Sequence, residues 1–97
     1  MTRTVIFLSH AEQDIRSAYQ WYESQQTGLG EEFLTSLRQK FESLQTFPES
    51  AAVIYKNIRR VVVPRFPYLV FYLVDQTSVV VIGVLHTSRN PAIWPKG

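Results

Sequence analysis

The chain has 97 residues and a mass of 11.3 kDa, enough for one domain spanning 1–97 and too few for two that each bury a core. Hydrophobic residues at 45% against charged residues at 19% exclude a disordered tail and predict a packed interior. The absence of cysteine excludes a disulfide framework and thiolate metal sites and suits a reducing compartment, while a net charge of only +2 is small for a nucleic-acid binder.

Residues 5–8 (Val-Ile-Phe-Leu) read as a short strand. Ser9-His10-Ala11-Glu12 then has the S-x-x-E form of a capping box, which predicts a helix starting at Ser9. Ala11, Ile15, Ala18 and Tyr22 recur at helical spacing, with Tyr19 and Trp21 at the margins of that stripe. Gly28 and Gly30 break the helix, since glycine reaches positive φ at little cost. A second helix follows, with Phe33, Leu34, Leu37, Phe41 and Leu44 as its apolar stripe, Glu31 and Glu32 in its first turn and Pro48 as its stop.

The period then changes. Residues 58–63 are rich in β-branched side chains, and Tyr68–Val74 and 79–85 are apolar on both faces, with turn-like gaps at 64–67 and 75–78. Three consecutive antiparallel strands follow, giving an α+β architecture, β-α-α-β-β-β, with a helical hairpin packed on an antiparallel sheet. Strands apolar on both faces imply a second cover, supplied by a partner or by the C-terminal tail. The apolar runs of seven residues at most fall well short of the roughly 20 that span a bilayer, so a cytoplasmic protein with no membrane partner is expected.

Charge is unevenly divided. Residues 1–48 hold four basic side chains against six acidic ones, net −2, whereas residues 49–97 hold six basic (Lys56, Arg59, Arg60, Arg65, Arg89, Lys96) against two acidic, net +4. The basic residues gather with aromatics near the turns and end of the predicted meander, at Arg59, Arg60, Arg65, Phe66, Tyr68, His86, Arg89 and Trp94. Because the chain reverses at the 75–78 gap between Tyr68 and His86, the Arg65 turn and the residues after His86 should meet at one sheet end. Arg59 and Arg60 are adjacent in a strand and must point to opposite faces.

Guanidinium groups there suit a phosphate or carboxylate; on strand edges they can also simply discourage association. His86 carries an imidazole, which could act as a general acid or base, or serve only as a strand-end hydrogen-bonding group. Tyr68 and Tyr72 share a strand face, Tyr72 as a core aromatic. Trp94, in a tail without periodicity, is either an interface anchor or a lid folded back on the sheet. Tyr19 and Trp21 either pack internally or receive a partner helix. No phosphate-binding glycine loop, placed carboxylate pair or metal-ligand spacing is present in the sequence, so no cofactor and no metal are expected.

The order of elements, the helix opening Ala11-Glu12-Gln13-Asp14-Ile15, the segment Arg65-Phe66-Pro67-Tyr68-Leu69-Val70-Phe71-Tyr72 and the ending His86-Thr87-Ser88-Arg89-Asn90-Pro91 followed by Trp94 resemble the RelE/ParE superfamily of toxins from bacterial type II toxin–antitoxin modules, also called plasmid stabilisation systems. The resemblance implies an antitoxin encoded beside the toxin, ParD-like or similar, and growth inhibition by one of two routes. ParE-like members poison DNA gyrase; RelE-like members cleave messenger RNA in the ribosome. The segment before the hairpin offers a single lysine, Lys56, and the C-terminal aromatic is Trp94, whose indole cannot shuttle a proton at neutral pH. The Phe66-Pro67-Tyr68 segment and the His86-x-x-Arg89-x-Pro91 ending look more like ParE. The resemblance thus implies target binding by Arg59, Arg60, Arg65, Tyr68, Arg89 and Trp94 and antitoxin binding by Tyr19, Trp21 and Tyr22. If the chain is instead a ribosome-dependent nuclease, Arg65, His86 and Arg89 would carry catalysis; a non-toxic antitoxin-binding module is the third possibility.

Overall fold

A computed structural model describes residues 2–95; Lys96, counted above in the basic half, lies outside them. The order of elements is β1 (Thr4–Phe7), α1 (Ser9–Gln25), α2 (Leu29–Thr46), β2 (Val53–Tyr55), β3 (Ile58–Val62), β4 (Tyr68–Val74), β5 (Ser78–His86) and a single 3₁₀ turn at Pro91–Ile93.

The helical hairpin forms as its apolar spacing requires. Ala11, Ala18 and Tyr22 of α1 and Phe33, Leu37 and Leu44 of α2 are buried in one core with Val70, Tyr72, Val79, Val81 and Val84 of the sheet. Between the helices Gly28 sits at φ 89°, the left-handed region where glycine is least strained. The Glu23 carboxylate accepts the N–H groups of Gly28 and Gly30, each at 2.9 Å, so an anion occupies the positive end of α2. A Cβ on Gly30 would lie 2.8 Å from the Tyr19 ring, which shows how closely the helices approach there.

The predicted capping box does not form. α1 begins at Ser9, but the cap position falls on Leu8, which is extended and has no side-chain cap hydrogen bond. The cause is the strand: Leu8 still donates its N–H to Val81 O at 3.1 Å, so β1 runs directly into the helix and leaves Ser9 inside the first turn.

The sheet has five strands in the order β1-β5-β4-β3-β2. It is mixed, not purely antiparallel, because β1 lies parallel to β5, from Thr4 opposite Ser78 to Phe7 opposite Val81. The meander fixes the direction of β5, and the N-terminal strand completes its free edge. The additional strand β2 is an irregular edge piece whose register shifts between Val53 and Tyr55; three residues are too few to show a period.

Both faces of the sheet are covered, as the doubly apolar strands require. The hairpin covers one. On the other, Ile58, Leu69, Phe71 and Leu85 form a second buried cluster with Trp94 packed against it, the Phe71 and Trp94 ring centroids being 5.4 Å apart. The C-terminal tail is therefore the second cover. It leaves Ile6, Leu8 and Val62 exposed.

Candidate functional site: a cleft at the sheet end

Tyr68 at the start of β4 pairs with His86 at the end of β5, and Thr87 donates its N–H to Pro67 O at 2.8 Å. The turn carrying Arg65 and the segment after His86 thus meet at one sheet end, as the strand reversals predict. Arg65 holds φ 69°, outside the usual range for a side-chain-bearing residue. Its turn is closed by hydrogen bonds from Val63 N–H to Tyr68 O and from Tyr68 N–H to Phe66 O, at 2.9 and 2.8 Å.

On the helix side of this end lies a cleft of about 260 Å³ whose lining includes Asp14, Ser17, Trp21, Tyr68, His86 and Arg89. The Tyr68 and His86 rings meet edge to face with centroids 5.2 Å apart. Ser88 holds the imidazole through its N–H to Nδ1 at 3.0 Å and its hydroxyl at 2.7 Å from the same atom. With Nδ1 accepting the backbone N–H, the ring proton is assigned to Nε2. Burial raises the Tyr68 phenol above its ordinary pKa, a rise that Arg89 opposes and Asp14 reinforces, so this hydroxyl stays protonated at neutral pH and can donate a hydrogen bond.

Asp14 was not singled out from the sequence as a site residue, and its position makes it one. β1 ends at Phe7, opposite Val81, and farther along β5 the Val84 N–H donates to Asp14 Oδ2 at 3.0 Å. The other oxygen lies 3.6 Å from His10 Nε2. The signal was present in the sequence: Asp14 is three residues after Ala11 and four before Ala18, so it lies on the buried stripe of α1, where a carboxylate needs a partner.

The predicted basic set does not form one patch, because the sheet divides it. Arg59 leaves the sheet end entirely: its Nη1 donates to Ala51 O at 2.6 Å and to Glu49 O at 3.3 Å, and its Nη2 lies 3.8 Å from Glu49 Oε2. Arg60 points to the opposite face, as adjacency in a strand demands, with its guanidinium 5.0 Å from the centre of the Trp94 ring. Trp94 is thus the folded-back lid; its indole N–H is buried without a hydrogen-bond partner among the described residues. Arg65, Tyr68 and Arg89 remain at the sheet end, with His86.

The three aromatics of α1 also separate. Tyr22 is buried, in ring contact with Phe33, Phe66 and Tyr68. Trp21 is 56% exposed and lines the sheet-end cleft. Tyr19 lies on the other side of α1, where two adjoining apolar hollows of about 330 and 280 Å³ share Phe7, Ile15 and Leu34. Among the described residues no group of acidic or histidine side chains could hold a metal ion, and no helix is long and apolar enough to cross a membrane.

The sequence matches the family model described as ParE toxin of type II toxin-antitoxin system, parDE, over residues 5–91; among curated proteins no match is found. The fold is similar to that of the chromosomal ParDE TA system from P. aeruginosa, with a TM-score of 0.76 and 12% identity over 88% of this chain and 96% of that one. It is also similar to the crystal structure of the E. coli DinJ-YafQ toxin-antitoxin complex, with a TM-score of 0.66 and 10% identity over 98% of this chain and all (100%) of that one. At such identities the structural likeness concerns the fold, an αα hairpin on a mixed five-stranded sheet, while the family match spans nearly the whole sequence. This chain is a member of the ParE family, the toxins of type II toxin–antitoxin systems.

Proposed function

We propose that this toxin inhibits growth by binding DNA gyrase through the sheet-end cleft and that it is not a nuclease. One observation carries this reading: the cations needed to hold and cleave a phosphodiester are dispersed by the fold. Arg59 is bonded to the Ala51 and Glu49 carbonyls, and Arg60 lies under Trp94 on the opposite face. His86 shares the cleft with Arg89, a protonated Tyr68 and the Asp14 carboxylate, whose oxygens are already directed to Val84 N–H and His10. General acid–base cleavage needs a base and an acid placed on either side of the reacting phosphate, and Tyr68, with its raised pKa, cannot be the base. What the cleft retains is a surface suited to recognition.

The antitoxin would seat on the opposite side of α1. Phe7, Ile15, Tyr19, Leu34 and Phe41 line the adjoining hollows, with Glu12, Arg16 and Arg38 at the rim, an apolar floor with a charged margin that suits the apolar face of an amphipathic helix. The structural relatives, solved as toxin–antitoxin systems, support a partner of this kind. On this reading Tyr19 is the antitoxin contact, and Trp21 belongs to the cleft.

A supercoiling assay with purified gyrase and this chain tests the target. Inhibition that is abolished by Arg89→Ala and relieved by the antitoxin is expected. Rapid loss of messenger RNA in a translating extract, with gyrase unaffected, would assign the protein to the ribosome instead.

A further inference from the structure

Of the cations in residues 49–97 that the structure describes, Arg59 and Arg60 are engaged elsewhere and Lys56 stands 5.5 Å from the Tyr55 ring beyond the far end of the sheet. That leaves Arg65 and Arg89. Neither makes a salt bridge or a side-chain hydrogen bond among the described residues, and both are exposed. Beside Arg89 stands Trp21, a large aromatic 56% exposed. An exposed tryptophan next to an unpaired arginine has the composition of an interface hot spot.

We infer that the cleft formed by Trp21, Ser17, Tyr68, His86 and Arg89 is a receptor for an acidic protein segment, taking one carboxylate on Arg89 and the neighbouring apolar or aromatic side chain on Trp21. The inference rests on the cleft being the effector surface and names the chemistry it reads. A planar guanidinium pairs with a carboxylate through two parallel hydrogen bonds, and the protonated Tyr68 and the Nε2–H of His86 add neutral donors. Nucleic acid fits poorly. A phosphate backbone is held by many cations acting together, and here Arg89 lines the cleft together with the Asp14 carboxylate, Arg65 lying outside that lining. Asp14 does not cancel Arg89, because its oxygens are directed to Val84 N–H and His10 and its side chain is only 14% exposed.

The test is an NMR titration of the isotope-labelled full chain with phenylacetate, an aromatic ring carrying one carboxylate, with phenylacetamide and phenyl phosphate as comparators. Saturable shifts are expected at the Trp21 indole N–H and the Arg89 Nε–H. The Trp94 indole N–H, on the opposite face, should stay still. Phenylacetamide should bind about tenfold or more weakly, as the loss of a charge-assisted contact requires. Trp21→Ala and Arg89→Gln should each weaken phenylacetate by a similar factor and Arg89→Lys by less, whereas Lys56→Gln, beyond the far end of the sheet, should leave it unchanged. These side chains are exposed, and the amide spectrum of each variant verifies that it is folded. Three results would overturn the inference: no saturable shift with phenylacetate, equal binding of phenylacetamide, or phenyl phosphate bound about tenfold more tightly than phenylacetate, a difference of about 1.4 kcal/mol in favour of phosphate. The titration contains no gyrase. Positive binding with a negative supercoiling assay would reject the target and keep the cleft chemistry, and the reverse would reject the cleft chemistry alone.

Discussion

Replacing Asp14 by alanine tests how α1 is fastened to the sheet at the cleft. The change removes the acceptor of the Val84 N–H, 3.0 Å away, and Val84 is 2% exposed, so water has little access to the group left behind. A hydrogen bond to a charged acceptor contributes about 1.5–3 kcal/mol, and stranding a buried donor costs about 1–3 kcal/mol. The Asp14–His10 contact adds little, because at 3.6 Å it joins a carboxylate to a His10 side chain that is 73% exposed. A loss of about 2 kcal/mol follows, which lowers Tm by roughly 8–16 °C in a domain of this size. In urea the midpoint should fall by about 1 M with an unchanged slope. Asp14→Asn keeps an oxygen at the same place and should lose less than half as much. Asp14→Ala within about 0.5 kcal/mol of the parent, the range of an ordinary surface change, would refute the reasoning. So would equal losses for the two variants, because the acceptor and not the volume is held to matter.

Other consequences can be measured in the same denaturation experiments. Tyr72→Phe removes the hydroxyl that donates to Pro48 O at 2.8 Å in a fully buried setting, and a loss of about 1–3 kcal/mol is expected. Burial raises the phenols of Tyr22, Tyr68 and Tyr72 above their ordinary 10.0, so above that pH the unfolded chain releases protons that the folded chain retains. Stability should therefore be full below pH 10.0 and fall as pH rises through the folded-state values, and the fall should be shallower in Tyr72→Phe. Gly30→Ala places a methyl 2.8 Å from the Tyr19 ring and 2.9 Å from the Glu23 carboxylate; overpacking of about 1–3 kcal/mol should outweigh the gain in helix propensity, and a stabilised variant would show that the helices can part at no cost. Trp94→Phe keeps a ring over Phe71 and removes an indole N–H that has no partner among the described residues, so it should cost less than about 1 kcal/mol, with Trp94→Ala clearly worse.

The helical hairpin and the three long strands are legible in the sequence because each announces a period: Ala11, Ile15, Ala18 and Tyr22 on one helix, Phe33, Leu37 and Leu44 on the next, and apolar runs bounded by Pro64–Pro67-type and Asp75-type turns. The helix start at Ser9 is legible too, although its cap is not, since a capping box is a local pattern and Leu8 is held by a distant strand. β2 is invisible for want of length. The parallel pairing of β1 with β5 joins residues more than 70 positions apart (Thr4 with Ser78), and no local signal encodes it.

For the candidate site the division is sharper. Arg65 and the residues after His86 meet at one sheet end as the order of strands requires, because strand reversals are a matter of counting, and Arg59 and Arg60 face apart because side chains alternate along a strand. The sequence also carries the acidic and basic halves whose charges nearly cancel in the net +2. Tertiary structure alone decided which cations stay available. The sheet is a wall between its two faces; it sends Arg60 to Trp94, sets Arg59 against the chain at Ala51, and leaves Arg89 beside Trp21, a residue 68 positions earlier in the sequence. Composition can count charges, but only packing determines which of them have partners.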